Sequence, residues 1–96
     1  MKTEIKVFAE GEKVYIRTVT HHQVGEVVGT SEVGQTTFVI LKNASWVADS
    51  GRWFDTLKDG FKDNAEIEPE QGMVAVNVGS IIDTREWLHD LPTKQQ

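Results

Sequence analysis

Residues 43–61 decide the fold, and they read Asn43-Ala-Ser-Trp-Val-Ala-Asp-Ser-Gly-Arg-Trp-Phe-Asp-Thr-Leu-Lys-Asp-Gly-Phe61. A strand-like apolar run gives way here to a short amphipathic helix. Asp49 or Ser50 can cap this helix by accepting hydrogen bonds from the free amides of its first turn. The spacing predicts that four apolar side chains share one helix face, and these are Trp53, Phe54, Leu57 and Phe61.

The predicted helix ends at Gly60. A glycine just past the last turn can take the left-handed conformation, which lets Phe61 fold back onto the apolar face. Trp46, Arg52 and Trp53 lie close together in this stretch, which indicates either packing or ligand binding. Packing is favoured, because large aromatic residues on a short helix more often fill a small core than hold a ligand.

The chain has 96 residues, enough for a single domain with one modest core, here assigned to residues 1–92 with a polar tail at 93–96. It has no cysteine, so disulfides and thiolate metal sites are excluded. The first residues alternate in charge and lack the apolar stretch of a signal peptide, and no run is long enough to span a membrane. We therefore expect a soluble protein of the cytoplasm.

The net charge is −5, with 15 acidic and 10 basic residues, which argues against a protein that coats nucleic acid by charge alone. Any anion site must be local. Arg17, Arg52 and Arg85 are the candidates, since a guanidinium can meet a phosphate with two parallel hydrogen bonds.

Alternating and β-branched stretches predict five or six short strands, at 5–9, 13–19, 24–30, 36–42, 73–78 and 81–83. Alternation within 13–19 places Arg17 on the same face as Tyr15. Residues 62–72 are acidic and aperiodic, and they predict an exposed connection. Short strands bent at glycines, with one helix, predict a mostly β fold, a small and strongly bent antiparallel β-barrel.

This order of elements resembles the Sm-like fold. Residues 14–29 are similar to its first two strands, and residues 38–44 to the end of its first motif. Residues 76–82 are similar to its second motif, in which a glycine, here Gly79, separates the last two strands. The helix is inserted between the two motifs.

The chain also resembles small Sm-like proteins of phage type in three segments. These are the Arg-Thr-Val-Thr segment at 17–20, the segment at 44–52 that contains Trp and ends in Gly-Arg, and the Trp-x-His-x-Leu-Pro ending at 87–92. The resemblance implies a homo-oligomeric ring joined through edge strands, with single-stranded RNA as a ligand of many such rings. Asn43 would read a base. Val78 stands where RNA-binding members carry an arginine before the glycine.

Arg52 could form a nucleotide pocket with Trp46 and Trp53. It lies in the first turn of the predicted helix, where free amides favour an anion, and either tryptophan could stack on a base. The alternative is an intramolecular ion pair of Arg52 with Asp49 or Asp55, with both tryptophans buried. That alternative is favoured, because a domain this small usually needs its tryptophans for burial.

No catalytic site, metal site or cofactor is predicted. His21 and His22 are adjacent and point different ways, and His89 is distant in sequence, so the three do not make a ligand set. Asp49 and Ser50 with His22 show none of the features of a nucleophile and its base.

Three classes of function remain open. The first is a non-enzymatic, ring-forming Sm-like protein of phage origin that binds a nucleotide or a short single strand to counter a host defence. Its candidate ligand-binding residues are Arg17, Asn43, Trp46, Arg52 and Trp53. The second is a virion or assembly component, or an inhibitor of a host or phage protein, without a small ligand. A small hydrolase ranks last. The protein would act in the cytoplasm of the bacterial host, or in the virion if it is structural.

Overall fold

A computed structural model describes residues 7–96, which form six strands and one α-helix. The elements, in chain order, are β1 (Lys13–Thr18), β2 (His22–Val33), β3 (Thr36–Asp49), α1 (Trp53–Asp59), β4 (Glu66–Pro69), β5 (Val74–Asn77), a 3-10 helix (Val78–Ser80) and β6 (Ile81–Glu86). The protein is thus mostly antiparallel β-sheet with one short helix. Of the helices within the described range, none has the length and apolar character that a membrane crossing requires.

The sheet has the strand order β4-β3-β2-β1-β6, and β5 pairs with β3 as well. Strands β2 and β3 form a long hairpin with an antiparallel ladder that runs from His22 and Val47 to Val33 and Thr36. On its other side, β3 pairs first with β5 and then with β4. Among the described strands no ladder joins β6 to β4 or β5, so the sheet is open there.

Strand β3 bends between its two halves. Asn43 lies at this point and has a φ of 50°, in the left-handed region. The register with β2 shifts nearby, between Val24 and Glu26, as expected where an extra residue kinks a strand. Strand β3 continues through this bend to Asp49, beyond the predicted end at residue 42. Gly25 lies against the bend, where an added Cβ would sit 3.1 Å from the Cβ of Ala44.

Two hydrophobic cores lie on opposite faces of β1, as its alternation predicts. Val14 and Ile16 belong to the first core, with Val27, Val39, Leu41, Ala44 and Val76. Tyr15 belongs to the second core, with Val24, Val47, Ala65, Ile67 and Trp87. The helix side chain of Trp53 and the following Phe61 pack against the second core. Arg17 therefore emerges on the face that α1 covers.

Helix α1 ends as predicted and begins differently. Gly60 is the C-cap, with a φ of 88°. The N-cap is Arg52, without a side-chain hydrogen bond, so the prediction that Asp49 or Ser50 caps the helix is wrong. The Asp49 carboxylate instead accepts a hydrogen bond from the backbone N–H of Gly51 at 2.8 Å, which closes the turn before the helix.

The predicted apolar face of α1 is correct only in part. Trp53 and Phe61 contact the second core, but Phe54 is 72% exposed. Thr56 is the buried residue of the helix, and its hydroxyl donates to the carbonyl of Ser50. This bond draws the helix toward the end of β3.

Residues 62–72 are not simply an exposed connection, because they contain β4. Glu66 and Glu68 point outward, while Ile67 between them is fully buried and Ala65 nearly so. In addition, Ile67 exchanges two backbone hydrogen bonds with Gln96, which fixes the polar tail to the edge of β4. At the other end of the chain, residues 5 and 6 of the predicted first strand lie outside the described residues, and residues 7–9 are not in a strand.

Candidate anion-binding site

The register of the sheet gathers charged side chains on the face of Tyr15. On one side of β1, Asp83 lies opposite Arg17, and Arg85 lies opposite Tyr15. On the other side of β1, His22 lies opposite Arg17. Because directly opposed residues of antiparallel strands share a face, all five side chains meet on the same side of the sheet.

Arg17 and Asp83 form a two-bond ion pair. The Nε of Arg17 donates to Oδ1 of Asp83 at 2.8 Å, and Nη2 of Arg17 donates to Oδ2. The Nη2 of Arg85 lies 3.6 Å from the same Oδ2, within ion-pair distance but beyond a normal hydrogen bond. The Nε of Arg85 is buried and has no hydrogen-bond partner among the described residues. Asp83 therefore occupies Nε and Nη2 of Arg17, whereas it makes no hydrogen bond with Arg85.

Both guanidinium groups lie over the indole ring of Trp53. The Cζ atoms of Arg17 and Arg85 lie 5.5 Å and 5.2 Å from the centroid of its ring, which is cation–π distance. The ring of Tyr15 lies 4.9 Å from that of Trp53, so the indole is wedged between the second core and the two cations. Its structural contribution is to hold two positive charges side by side.

The buried end of the site is closed by Tyr15 and His22, whose hydroxyl and Nδ1 lie 2.8 Å apart. Burial raises the pKa of Tyr15 to about 12, so the hydroxyl keeps its proton and can donate to Nδ1. Burial, and then the positive charge of Arg17, lowers the pKa of His22, which favours the neutral imidazole. This pair therefore adds no charge at neutral pH.

The site carries an excess of one positive charge in a chain whose net charge is −5. The hydrogen bonds from Arg17 lower the pKa of Asp83, so this carboxylate stays ionised and offsets one of the two arginines. The side chains of Arg17, Asp83 and Arg85 are 35%, 31% and 37% exposed, so an approaching ligand can reach all three. Such a cluster can bind an oxyanion.

Arg17 and Trp53 are thus the two predicted site residues that the structure brings together. Trp46 lies elsewhere: its neighbour Val47 packs with Tyr15 in the second core, so alternation directs Trp46 to the opposite face of the sheet. There it is 37% exposed and lines a groove of about 240 Å³ with His21. The two tryptophans therefore do not form one pocket.

Arg52 and Asn43 also lie apart from the cluster. Arg52 is exposed, and it makes no ion pair with Asp49 or Asp55 within the described range, so the favoured intramolecular pair is not formed. Asn43 is exposed at the bend of β3 and lines a separate cavity of about 400 Å³ with Pro69.

The sequence pattern does not single out Asp83, and it offers Arg85 only as one of three candidate cations. The signal that could identify them is their spacing of two residues, which places both side chains on one face of a strand. The predicted strand ends at residue 83 and therefore leaves Arg85 out. With β6 extended to Glu86, both side chains fall on one face.

Residues 7–96 contain no group of three or more metal-ligating side chains placed to hold a metal ion. Comparisons of this chain with protein-family models, with curated protein sequences and with solved structures found no match. Its function is therefore inferred from the geometry of the cluster.

Proposed function

We propose that this chain is a non-enzymatic binding protein that takes a nucleotide or a short single strand of nucleic acid at Arg17, Arg85 and Trp53. One observation carries the proposal. The guanidinium groups of Arg17 and Arg85 both lie over the indole ring of Trp53, and both are within ion-pair distance of the carboxylate of Asp83. Arg85 makes no hydrogen bond with Asp83 and its side chain is 37% exposed, and guanidinium donors match phosphate oxygens in geometry and charge.

The proposal extends to an Sm-like β-barrel that assembles into a ring. Two features support it: the bent β3, which is shared between β5 and β4, and the 3-10 helix at Gly79, which separates the last two strands. Among the described strands, β5 and β6 each pair on one side only, so they offer edges to a neighbouring subunit. Native mass spectrometry tests this part, and a bare monomer would contradict it.

Isothermal titration calorimetry at low salt, with AMP and 3′,5′-cyclic AMP as probes, tests the ligand class. We expect Arg85→Gln to weaken binding of the better probe by about tenfold to a hundredfold, because each charge-assisted hydrogen bond contributes about 1.5–3 kcal/mol. Lys58→Gln removes the same charge from an exposed position on α1 and serves as the matched control.

Two results would reject the proposal. The first is that neither probe binds the unmodified protein. The second is that Arg52→Gln abolishes binding while Arg85→Gln leaves it intact, because the site would then lie at the start of α1. Circular dichroism of each variant checks that the fold is kept.

A further inference from the structure

The carboxylate of Asp83 has a consequence for the kind of ligand that the cluster accepts. We propose that Asp83 makes the site select a group with one negative charge, a phosphodiester, over a phosphomonoester with two. This inference rests on the proposed function, since it assigns a charge preference to the same site.

The geometry limits how many ligand oxygens the site can satisfy. Asp83 already occupies two donors of Arg17, at Nε and Nη2. Arg85 lies at the margin of that carboxylate, 3.6 Å from Oδ2, and so its donors remain the main ones for a ligand. One guanidinium fork matches the two non-bridging oxygens of a phosphodiester. A phosphomonoester brings a third oxygen and more charge, for which this cluster has fewer donors left.

The charge balance points the same way. The attraction between a ligand and the site grows with the product of their charges, whereas the cost of removing the ligand from water grows with the square of its own charge. A site with an excess of one positive charge is therefore best matched by one negative charge. A phosphomonoester carries about −1.5 to −2 at pH 7. The net charge of −5 on the chain adds to its disadvantage.

Cyclic AMP and AMP make a suitable pair of probes, because they share base and sugar, and the phosphate is a ring diester with one negative charge in cyclic AMP and a monoester with nearly two in AMP. In calorimetry at pH 7.5, we expect cyclic AMP to bind the unmodified protein at least about tenfold more tightly than AMP. Asp83→Asn raises the excess charge of the site from one to two, and this should reduce or reverse the preference. Glu86→Gln is the matched control, since it removes a negative charge from the same strand on the opposite face.

A measurement without mutation guards against a variant that fails to fold. The second pKa of a phosphomonoester is about 6, so AMP loses most of its second negative charge between pH 7.5 and pH 5.5 while cyclic AMP does not. The preference of the unmodified protein for cyclic AMP over AMP should narrow over this range. Burial and the charge of Arg17 lower the pKa of His22, which opposes protonation of its imidazole, and the hydrogen bonds from Arg17 lower the pKa of Asp83, which keeps that carboxylate ionised. The change in preference is therefore expected to come mainly from AMP. Adenylyl-3′,5′-adenosine contains one linear diester, and comparing it with cyclic AMP shows whether the site prefers a linear or a cyclic diester. Tighter binding of either diester than of AMP supports the inference.

Three results would overturn the inference. If AMP binds at least as tightly as both diesters and still depends on Arg85, the charge preference is wrong while the proposed function stands. The second result concerns the affinity of cyclic AMP relative to that of AMP. If Asp83→Asn changes this ratio no more than Glu86→Gln does, Asp83 does not set the preference. If no probe binds, the proposed function fails, and the inference with it.

Discussion

Replacing Trp87 with alanine is expected to lower the free energy of unfolding by about 3–5 kcal/mol, the range typical of large aromatic truncations in a core. The side chain is 2% exposed. Its ring centroid lies 4.6 Å from that of Phe61, 5.0 Å from that of His89 and 5.8 Å from that of Tyr15. Truncation would leave a cavity between these three rings in the second core.

Urea denaturation followed by circular dichroism measures this loss, with Leu88→Ala as the control. Leu88 is the next residue and is 72% exposed, so its truncation should change the free energy of unfolding by less than about 0.5 kcal/mol. The second core also supports Trp53 through Tyr15, so a destabilised Trp87 variant should loosen the anion site as well. Equal and small losses in the two variants would contradict the burial of Trp87 in the second core.

Replacing Ile67 with alanine is expected to cost about 2–5 kcal/mol, because this side chain is fully buried in the second core. The size of this loss shows whether residues 66–69 form a strand that faces the core, as in the structure, or belong to an exposed connection, as the sequence pattern predicts for 62–72. In an exposed connection the same truncation would cost less than about 0.5 kcal/mol.

Glu68→Ala is the matched control for Ile67, since it alters the next outward-facing residue of the same strand. Chemical denaturation of both variants should show a large loss for Ile67 and a small one for Glu68. If Glu68→Ala is the more damaging variant, β4 does not face the core as described.

Much of the fold could be predicted because some strands are long enough for their alternation to be read. The pattern of residues 13–19 correctly separates Val14 and Ile16 from Tyr15 and Arg17, which lie in or beside two different cores. Strand β4 could not be found in this way. It has four residues, Glu-Ile-Glu-Pro, and its one large apolar side chain gains its burial from distant parts of the chain.

The site was predicted less completely than the fold. The sequence offers Arg17 and Trp53 as separate candidates, and they meet only because α1 folds over β1. The closeness of Trp46 and Trp53 in sequence predicts that they share one pocket. Alternation in β3 sends Trp46 to the opposite face, a consequence of the strand running on to Asp49. Alternation places Asp83 and Arg85 on one face of β6, but they join the cluster through the ladder between β1 and β6, a long-range pairing that alternation alone does not encode.

The most direct test of the anion site is a nuclear magnetic resonance titration that follows the Nε–H signals of the arginines and the indole N–H signals of the tryptophans. With cyclic AMP added, we expect the signals of Arg85 and Trp53 to shift in a saturable way, while those of Arg52 and Trp46 stay in place. Saturable shifts of Arg52 and Trp46, with Arg85 and Trp53 unmoved, would contradict a binding site built on the two guanidiniums.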